Sequence, residues 1–241
     1  MDLLAHRGAW RGETDGSSAP VVENTLAAFD RAFTIGANGI ECDVHRTRDG
    51  VLVVHHDAVA AGVGLIAERG FDEVQRLRPD IPTLAATLDH CQGYCCNIEI
   101  KNMPTDEDFD VDHRVAAMLA ELLQSRGSDD VIVSSFNLAT IDAYRALDPT
   151  TRTGWLVGVG MQPEVALGIV RERNHTAIHP NIECLDASDW PAFLASTNDH
   201  NIACTVWTVN DAVALQLLER YGAQHAITDD IAGARRALGR V

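Results

Sequence analysis

Gly39-Ile-Glu-Cys-Asp-Val-His-Arg-Thr-Arg-Asp-Gly-Val-Leu-Val-Val-His-His-Asp57 consists of two largely apolar runs on either side of Asp49-Gly50. An Asp-Gly pair in this setting is a strong local signal for a β-hairpin, because glycine adopts the positive φ angles that tight turns require. We therefore predict a strand at Ile40–Val44, a two-residue turn at Asp49-Gly50 and an antiparallel return arm at Val51–His56.

The two-residue turn also predicts which side chains share a face of the hairpin. Counting back from the turn sets Asp43 opposite His56. Glu41 projects from the same face as Asp43, because alternate residues of a strand point to the same side. Two carboxylates and an imidazole would then lie close together, and this combination is typical of a metal-assisted hydrolase site.

The flanking sequence extends the hairpin into a larger fold, because short apolar runs alternate with helical patterns along the chain. Eight of these runs are predicted parallel strands: Leu3–His6, Ile40–Val44, Asn97–Lys101, Val131–Phe136, Gly154–Val157, Thr176–His179, Ala203–Val209 and His225–Thr228. Helical patterns occupy the intervals at Asn24–Phe33, Asp112–Leu123, Leu138–Leu147, Pro163–Arg173, Trp190–Asn198 and Asp211–Tyr221.

Eight strand–helix repeats in 241 residues indicate an α/β protein with a TIM-type (β/α)8 barrel. The hairpin arm would lie at the active-site rim, and we expect no large insertion domain. A doubly wound open sheet is the alternative, although it usually has fewer strands at this length. We expect residues 1–241 to form a single domain, with a long loop over the Gly- and Ser-rich residues Gly12–Pro20.

Composition narrows the function classes. The formal net charge of −16 argues against nucleic acid or an anionic membrane as a partner, because both are polyanions. No apolar run is long enough for stable membrane insertion, and we expect no secretory signal. The six cysteines include no C-x-x-C pair, which favours a cytoplasmic location. The oligomeric state stays open, a homo-oligomer included.

In a barrel of this class, functional residues lie at the carboxyl ends of the strands. Asp229 follows one predicted strand without an assigned role, and three further carboxylates occupy such positions: Glu41, Asp43 and Glu99. Their oxygen ligands suit one hard divalent cation, Mg²⁺ or Ca²⁺. The alternative is that they only form salt bridges with Arg7 and Lys101.

His6 and His56 are candidates for a general acid and a general base, because an imidazole titrates close to neutral pH. Arg7 and Lys101 supply positive charge beside the carboxylates and can hold phosphoryl oxygens. Lys101 is the single lysine among the 19 basic side chains, which favours a role for its compact ammonium group.

Two aromatic residues, Phe136 and Trp207, end predicted strands at the same rim. A role in the core is the default for both. Contact with a small substrate is the alternative, because aromatic side chains commonly form the walls of ligand pockets.

These residues belong to a series of short motifs in a fixed order. The series includes Ala5-His6-Arg7-Gly8, Glu23-Asn24-Thr25, Ile40-Glu41-Cys42-Asp43, His55-His56-Asp57, Glu99-Ile100-Lys101, Ser134-Ser135-Phe136 and Trp207-Thr208-Val209-Asn210. Each motif is short, but the ordered series resembles the glycerophosphodiester phosphodiesterase family over nearly the whole chain.

The resemblance implies hydrolysis of small-molecule glycerophosphodiesters to sn-glycerol 3-phosphate and an alcohol. It also implies a divalent cation held by Glu41, Asp43 and Glu99, acid–base catalysis by His6 and His56, and a phosphate near the two basic residues. Two alternatives remain open on the same barrel. One is a lysophospholipase D-type phosphodiesterase, and the other is a catalytically inactive barrel that binds phosphodiesters.

The sequence departs from the family pattern just after Asp57. Members of the family usually continue with an Arg-Thr-Thr-Gly-like stretch, whereas this chain reads Ala58-Val-Ala-Ala-Gly-Val-Gly-Leu65. The larger insertion domain that the family carries at this point is also missing. We expect this segment to border the substrate, so the departure affects the choice of alcohol group.

Overall fold

A computed structural model of the chain describes residues 1–11, 21–127 and 130–240. The loop predicted over Gly12–Pro20 lies outside these residues. In the described residues, eight parallel strands form a barrel: β1 (Asp2–His6), β2 (Gly39–Arg46), β6 (Cys95–Ile100), β7 (Val131–Ser135), β8 (Arg152–Val157), β9 (Ala177–Pro180), β10 (Ala203–Val206) and β11 (His225–Thr228). The barrel closes because β1 pairs with both β2 and β11.

Helices cover the outside of the barrel. They are α1 (Leu26–Ile35), α2 (Phe71–Leu77), α3 (Leu84–His90), α4 (Arg114–Arg126), α5 (Leu138–Leu147), α6 (Pro163–Glu172), α7 (Trp190–Asp199), α8 (Ala212–Arg220) and α9 (Ile231–Ala237). The TIM-type barrel prediction is confirmed. The prediction omitted α2, α3 and α9, which have only seven residues each and are too short for a clear periodic pattern.

Strand β2 shows why the sequence folds in this way. Ile40, Cys42 and Val44 alternate along it and belong to the hydrophobic core. Glu41 and Asp43 therefore project from the opposite side of the strand and are also buried. Both faces of β2 exclude water, as is usual in a barrel whose strands are covered by helices. Burial of carboxylates on one of these faces is costly, which marks that face as functional.

The hairpin is present, but its predicted register is wrong by one residue. The arm β3 (Leu52–Val54) pairs with β2 through Val44 and Val54. The His55 amide donates to the Asp43 carbonyl at 3.0 Å, so Asp43 lies opposite His55 and not His56.

The turn is longer than predicted because Thr47 closes it. The Gly50 amide donates to the Thr47 carbonyl at 3.1 Å, and the Thr47 amide donates to the Val51 carbonyl at 2.9 Å. The Thr47 hydroxyl also donates to the Asp49 carboxylate at 2.6 Å. Gly50 has a φ of +82°, as the last residue of a three-residue hairpin loop requires. Strand β3 ends at Val54, and the chain then bends at His56.

A small hairpin occupies the segment where the sequence departs from the family pattern. Strands β4 (Val59–Ala60) and β5 (Gly64–Leu65) pair antiparallel. A short 3-10 helix (Ile66–Glu68), α2 and α3 follow before β6 begins. The segment packs on a second, smaller hydrophobic cluster formed by Val53, Ala60, Val63, Ile66, Val74 and Ile81. None of the described helices is long and apolar enough to cross a lipid bilayer.

Gly39, at the start of β2, permits close approach of the neighbouring strand. A Cβ atom added there would lie 2.1 Å from the Cys95 carbonyl oxygen, which is a backbone atom and cannot rotate away. We expect Gly39→Ala to lower the free energy of unfolding by about 1–3 kcal/mol, measured by urea denaturation. Gly168→Ala in α6 is the matched control, because its Cβ meets nothing within 4 Å.

The control is expected to be neutral or to stabilise the protein by up to about 1 kcal/mol, because alanine is the better helix former. Equal stability of the Gly39 variant and the Gly168 variant would contradict the close approach of β2 and β6.

Candidate active site

The predicted site residues converge at the carboxyl ends of the strands. A cavity of about 210 Å³, here called the catalytic cavity, is lined by His6, Arg7, Glu41, His56, Glu99, Lys101, Phe136 and Trp207, with Asn97 and hydrophobic residues at its base. The remaining predicted residue, Asp43, is 1 % exposed and contacts Lys101. Residues distant in the sequence thus meet because the barrel brings all its strand ends to one rim.

Glu41, Asp43 and Glu99 form a compact buried cluster. Each offers one carboxylate oxygen, and these oxygens lie within 4.8 Å of one another. The Lys101 ammonium binds two of the three residues, with Nζ 2.8 Å from the Glu99 carboxylate and 3.0 Å from that of Asp43. Arg7 adds a second positive charge, its Nε lying 3.5 Å from Asp43.

The crowding of these carboxylates shifts their pKa values. Burial raises the pKa of Glu41 well above its ordinary value, and the like charges of Asp43 and Glu99 raise it further. Burial is the largest single influence on Asp43 and acts in the same direction, but the charges of Lys101, His56 and Arg7 together outweigh it. The pKa of Asp43 consequently falls to about 2.

The donor set fits a hard divalent cation. Three carboxylates face two basic groups, so the cluster keeps an excess negative charge when all three are ionised. Lys101 and Arg7 act to lower the pKa of Glu41, but burial and the two neighbouring carboxylates outweigh them. A bound divalent cation would supply the missing charge, and carboxylate oxygens are the ligands that Mg²⁺ and Ca²⁺ prefer. The cluster can therefore bind such an ion.

His6 is held by a carboxylate from the last strand end. Its Nδ1 lies 2.7 Å from Oδ1 of Asp229, which follows β11. The other oxygen of Asp229 accepts a hydrogen bond from the Asn210 side chain at 2.9 Å. Burial acts to raise the pKa of Asp229, but the hydrogen bonds from His6 and Asn210 outweigh it and lower that pKa. An ionised Asp229 fixes the ring of His6 with Nε2 left for other contacts.

His56 has a carboxylate partner of its own. Its Nδ1 lies 2.7 Å from Oδ1 of Asp57. The backbone is fixed by His45, whose Nε2 lies 3.1 Å from the His56 carbonyl oxygen, while its Nδ1 lies 2.7 Å from Asp108. Burial lowers the pKa of His56 below its ordinary value of 6.5, although Asp43 acts in the opposite direction. A neutral ring near pH 7 can accept a proton.

Two motifs from the beginning of the chain meet beside the carboxylates. The Arg7 guanidinium donates to Glu23 at 3.0 Å. The side-chain amide of Asn24 donates to the Asp43 carboxylate at 2.8 Å. The backbone amide of Asn24 donates to the Arg7 carbonyl at 2.9 Å. Arg7 and Asn24 both have positive φ angles, which identifies this crossing as a constrained part of the backbone.

The two aromatic residues form one wall of the catalytic cavity. Phe136 and Trp207 pack edge to face, with ring centroids 5.3 Å apart. The indole nitrogen of Trp207 donates to the His179 carbonyl at 2.6 Å, which fixes the ring. The structure thus places both aromatics at the site and not in the core alone.

A second cavity of about 410 Å³ adjoins the catalytic cavity. The two share four lining residues, namely His56, Glu99, Lys101 and Phe136. The rest of the second cavity is lined by His45 of β2, Ile100 of β6, residues 57–59 and the loop that follows β6. The site therefore has two neighbouring compartments, and His56 and Lys101 line both of them.

Sequence reasoning missed the residues that support the site. Asp229 was predicted at the rim without a role, and neither Asn24 nor the pair of His45 and Asp108 was identified as part of the site. The N-cap of α1 is Thr25, whose hydroxyl accepts from the Ala28 amide. The sequence offers one signal for Asp229, which is its position at the end of the strand predicted to neighbour the strand of His6.

Comparison of the chain with known proteins identifies one family. The model of the glycerophosphoryl diester phosphodiesterase family matches residues 6–232. The chain is similar to a probable glycerophosphodiester phosphodiesterase 1 of Mycobacterium tuberculosis, at 42 % identity over 87 % of this chain and 82 % of that protein.

Solved structures share the fold. A glycerophosphodiester phosphodiesterase from Thermotoga maritima superposes with a TM-score of 0.77 at 27 % identity, covering 96 % of both chains. A phosphodiesterase from Oleispira antarctica, solved in complex with the product sn-glycerol-3-phosphate, gives a TM-score of 0.79 at 21 % identity and covers 99 % of this chain and 97 % of that one.

Proposed function

Because the chain belongs to the glycerophosphoryl diester phosphodiesterase family, we propose that it hydrolyses glycerophosphodiesters to sn-glycerol 3-phosphate and an alcohol. The observation that carries the proposal is the catalytic cavity, in which two histidines, each with its own carboxylate partner, lie beside a buried cluster of three carboxylates. The product complex of the Oleispira antarctica phosphodiesterase supports the same reaction for this fold.

Glu41, Asp43 and Glu99 are the residues that would hold one divalent cation, Mg²⁺ or Ca²⁺. When bound there, the cation would polarise a phosphoryl oxygen and stabilise negative charge that develops on it. Lys101 contacts two of these carboxylates and Arg7 one, so both basic groups lie at the edge of the cluster. There they hold the remaining phosphoryl oxygens by charge-assisted hydrogen bonds.

His6 and His56 move the protons. One histidine removes the proton of the attacking hydroxyl group, either the glycerol 2-hydroxyl or a water molecule, as its oxygen bonds to phosphorus. The other gives its proton to the oxygen of the departing alcohol as the P–O bond breaks. The two roles need one neutral and one protonated ring. Asp229 and Asp57 orient the rings through Nδ1, which leaves Nε2 of each histidine for the reacting oxygens.

We place this activity in a single catalytic domain over residues 1–241, acting on small molecules in the cytoplasm and not on nucleic acid. The support is the net charge of −16 and the six cysteines, all of which are free thiols in the structure. Phe136 and Trp207 contact the substrate in this proposal, because they form the aromatic wall of the catalytic cavity.

The test is an assay of glycerophosphodiesters with Mg²⁺ or Ca²⁺ that detects released sn-glycerol 3-phosphate. Lysophosphatidylcholine is included to separate a lysophospholipase D-type activity, which would release choline from the lysolipid and leave the deacylated diesters intact. A folded, cation-loaded protein that hydrolyses none of these compounds would establish the inactive barrel and refute the proposal.

Asp229 allows a sharper test, because it contacts His6 but does not line the catalytic cavity. We expect Asp229→Asn to lower kcat by about 10- to 100-fold, with a smaller change in KM, because an amide no longer fixes the tautomer and orientation of the ring. Asp211→Asn is the matched control, since that residue caps α8. A KM effect alone, with kcat intact, would show that Asp229 does not act through His6.

A further inference from the structure

The ring of His56 is held less firmly than that of His6. The Asp57 side chain beside its Nδ1 is 72 % exposed, whereas the Asp229 side chain that holds His6 is 9 % exposed. Water competes for an exposed contact of this kind and weakens it. His56 also lies in a bend outside the sheet, because β3 ends at Val54. Its position therefore needs a further support.

That support is a buried histidine of β2 that contacts the His56 carbonyl oxygen. The Nε2 atom of His45 lies 3.1 Å from this oxygen, and its Nδ1 lies 2.7 Å from Oδ2 of Asp108. Among the residues that the structure describes, no backbone amide donates to the same carbonyl. The side chains of His45 and Asp108 are 1 % and 6 % exposed, so water does not compete here.

The orientation of the His45 ring is fixed from both sides. A carbonyl oxygen and a carboxylate oxygen accept hydrogen bonds, so both ring nitrogens must donate, and a flipped ring would place carbon atoms against both oxygens. The backbone of His45 is equally constrained, because it pairs with Val53 in the sheet. His45 lines the second cavity, but neither of its nitrogens is left to bind a substrate there.

Asp108 depends on the same contact. Its Oδ1 is buried and, within the described part of the chain, has no hydrogen-bond partner, which leaves His45 to compensate the carboxylate through Oδ2. Separating a buried carboxylate from its partner is costly. The loop that carries Asp108 is closed at its base, where Asn102 donates to the Asp110 carbonyl at 3.0 Å and accepts from the Asp110 amide at 2.8 Å. Asp108 thus anchors the His45 ring to the loop between β6 and α4.

We propose that His45 is a positioning residue for His56, acting through the His56 carbonyl oxygen, and that Asp108 holds it in that role. The inference rests on the proposed function, in which His56 moves a proton. Proton transfer requires a ring nitrogen within hydrogen-bond reach of the reacting oxygen, and a displacement of about 1 Å can cost about 100-fold in rate. Asp108 thereby contributes to turnover, although it lines neither cavity.

Two substitutions separate the two hydrogen bonds of His45. The amide nitrogen of glutamine takes the place of Nε2 and can donate to the His56 carbonyl, whereas that of asparagine takes the place of Nδ1 beside Asp108. We expect His45→Asn to lower kcat by about 10- to 100-fold with a smaller change in KM. We expect His45→Gln to keep a kcat at least about 5-fold above that of His45→Asn.

The thermal midpoints of these variants should follow the opposite order. His45→Asn keeps a contact with the buried Asp108, whereas His45→Gln leaves that carboxylate unpaired. Equal kcat values, or kcat values that rise and fall with the thermal midpoint, would overturn the positioning role. If His45→Gln does not fold, the double variant His45→Gln/Asp108→Asn takes its place, because it removes the unpaired charge.

A double-mutant cycle tests whether His45 acts through His56. In a His56→Ala background, His45→Asn should lower kcat by less than about 2-fold, because the ring that it positions is already absent. A residue that acts elsewhere would cause the same fold-loss in both backgrounds. An undiminished loss in the His56→Ala background would therefore contradict the proposal.

His175→Asn is the matched control, because it changes another buried histidine that contacts an aspartate. His175 lies 3.0 Å from Asp142 and 2.9 Å from the Thr153 hydroxyl, and it lines neither cavity. We expect a lower thermal midpoint with kcat within about 2-fold of the wild type.

The result for the wild type separates this inference from the proposed function. A wild-type protein that hydrolyses no glycerophosphodiester would refute the proposed function. Hydrolysis that His45→Asn leaves unchanged would overturn the positioning role alone.

Discussion

Replacing His56 by alanine is expected to lower kcat for glycerophosphodiesters by about 10²- to 10⁴-fold, the usual contribution of one general acid or base. His56 lines both compartments of the site and is oriented by Asp57. The variant keeps the cation cluster and both basic residues, so substrate affinity should change far less than turnover. Steady-state kinetics at saturating divalent cation measure both quantities.

The neighbouring residue provides the matched control. His55 hydrogen-bonds the Asp57 carbonyl through Nδ1 at 2.8 Å and does not line the catalytic cavity. His55→Gln keeps a donor for that carbonyl, so its turnover should stay close to that of the wild type. Near-wild-type turnover by His56→Ala would remove His56 from the mechanism.

A substrate with an activated leaving group assigns the two histidine roles. 4-Nitrophenolate departs without a proton, so a glycerophospho-4-nitrophenyl ester should largely restore the turnover of whichever histidine variant lacks the general acid. The variant that lacks the general base should stay impaired on this ester. Similar recovery by His6→Ala and His56→Ala would contradict a division of labour between the two rings.

Glu41→Gln is expected to have opposite effects on stability and on activity. Without a divalent cation, the ionised form of Glu41 is buried beside two other carboxylates, and its pKa is raised for that reason. A carboxyl group whose folded pKa lies above its unfolded value destabilises the protein once the pH exceeds the unfolded value. The neutral glutamine should therefore stabilise the cation-free protein near pH 8. A gain of about 1 kcal/mol would raise Tm by roughly 2–4 °C at this chain length.

With a divalent cation present, Glu41→Gln should weaken cation binding and reduce turnover. A cation at 100 times its dissociation constant stabilises a protein by about 2.7 kcal/mol, so Mg²⁺ or Ca²⁺ should raise the Tm of the wild type. We expect Glu41→Gln to weaken cation binding by more than about 10-fold and to reduce turnover at least in proportion. Calorimetric titration and thermal unfolding with and without a chelator measure these effects.

Glu121→Gln, at an exposed position on α4, is the control for this experiment and should change neither Tm nor its dependence on the cation. Chelation should abolish turnover in the wild type and in the control alike. A Glu41→Gln protein whose Tm responds to the cation as the wild type does would show that the cluster is not the cation site.

Much of the fold could be predicted from local patterns. The eight strands lie within a few residues of the predicted ranges, because buried strands are short apolar runs between turn residues. The hairpin register could not be predicted, because Asp-Gly fits both a two-residue turn and the longer one. The hydroxyl and backbone groups of Thr47 decide between them, through hydrogen bonds that no pattern of apolar residues reports.

The functional site also combines features that the sequence predicts with features that it does not. The prediction that His56 shares a surface with Asp43 rested on strand alternation, which the observed register does not support. His56 nevertheless lines the catalytic cavity, because β3 ends at Val54 and the chain bends toward the barrel mouth. The contact between His6 and Asp229 joins residues 223 positions apart and depends on closure of the barrel.

The barrel, the kinds of side chain at its rim and the resemblance to one family all follow from the order of residues along the chain. How the carboxylates share Lys101, which aspartate orients each histidine and how a second cavity adjoins the catalytic cavity depend on the tertiary structure. The physical reason is that charge compensation and cavity shape depend on distances between residues far apart in the chain, and only the closed barrel sets those distances.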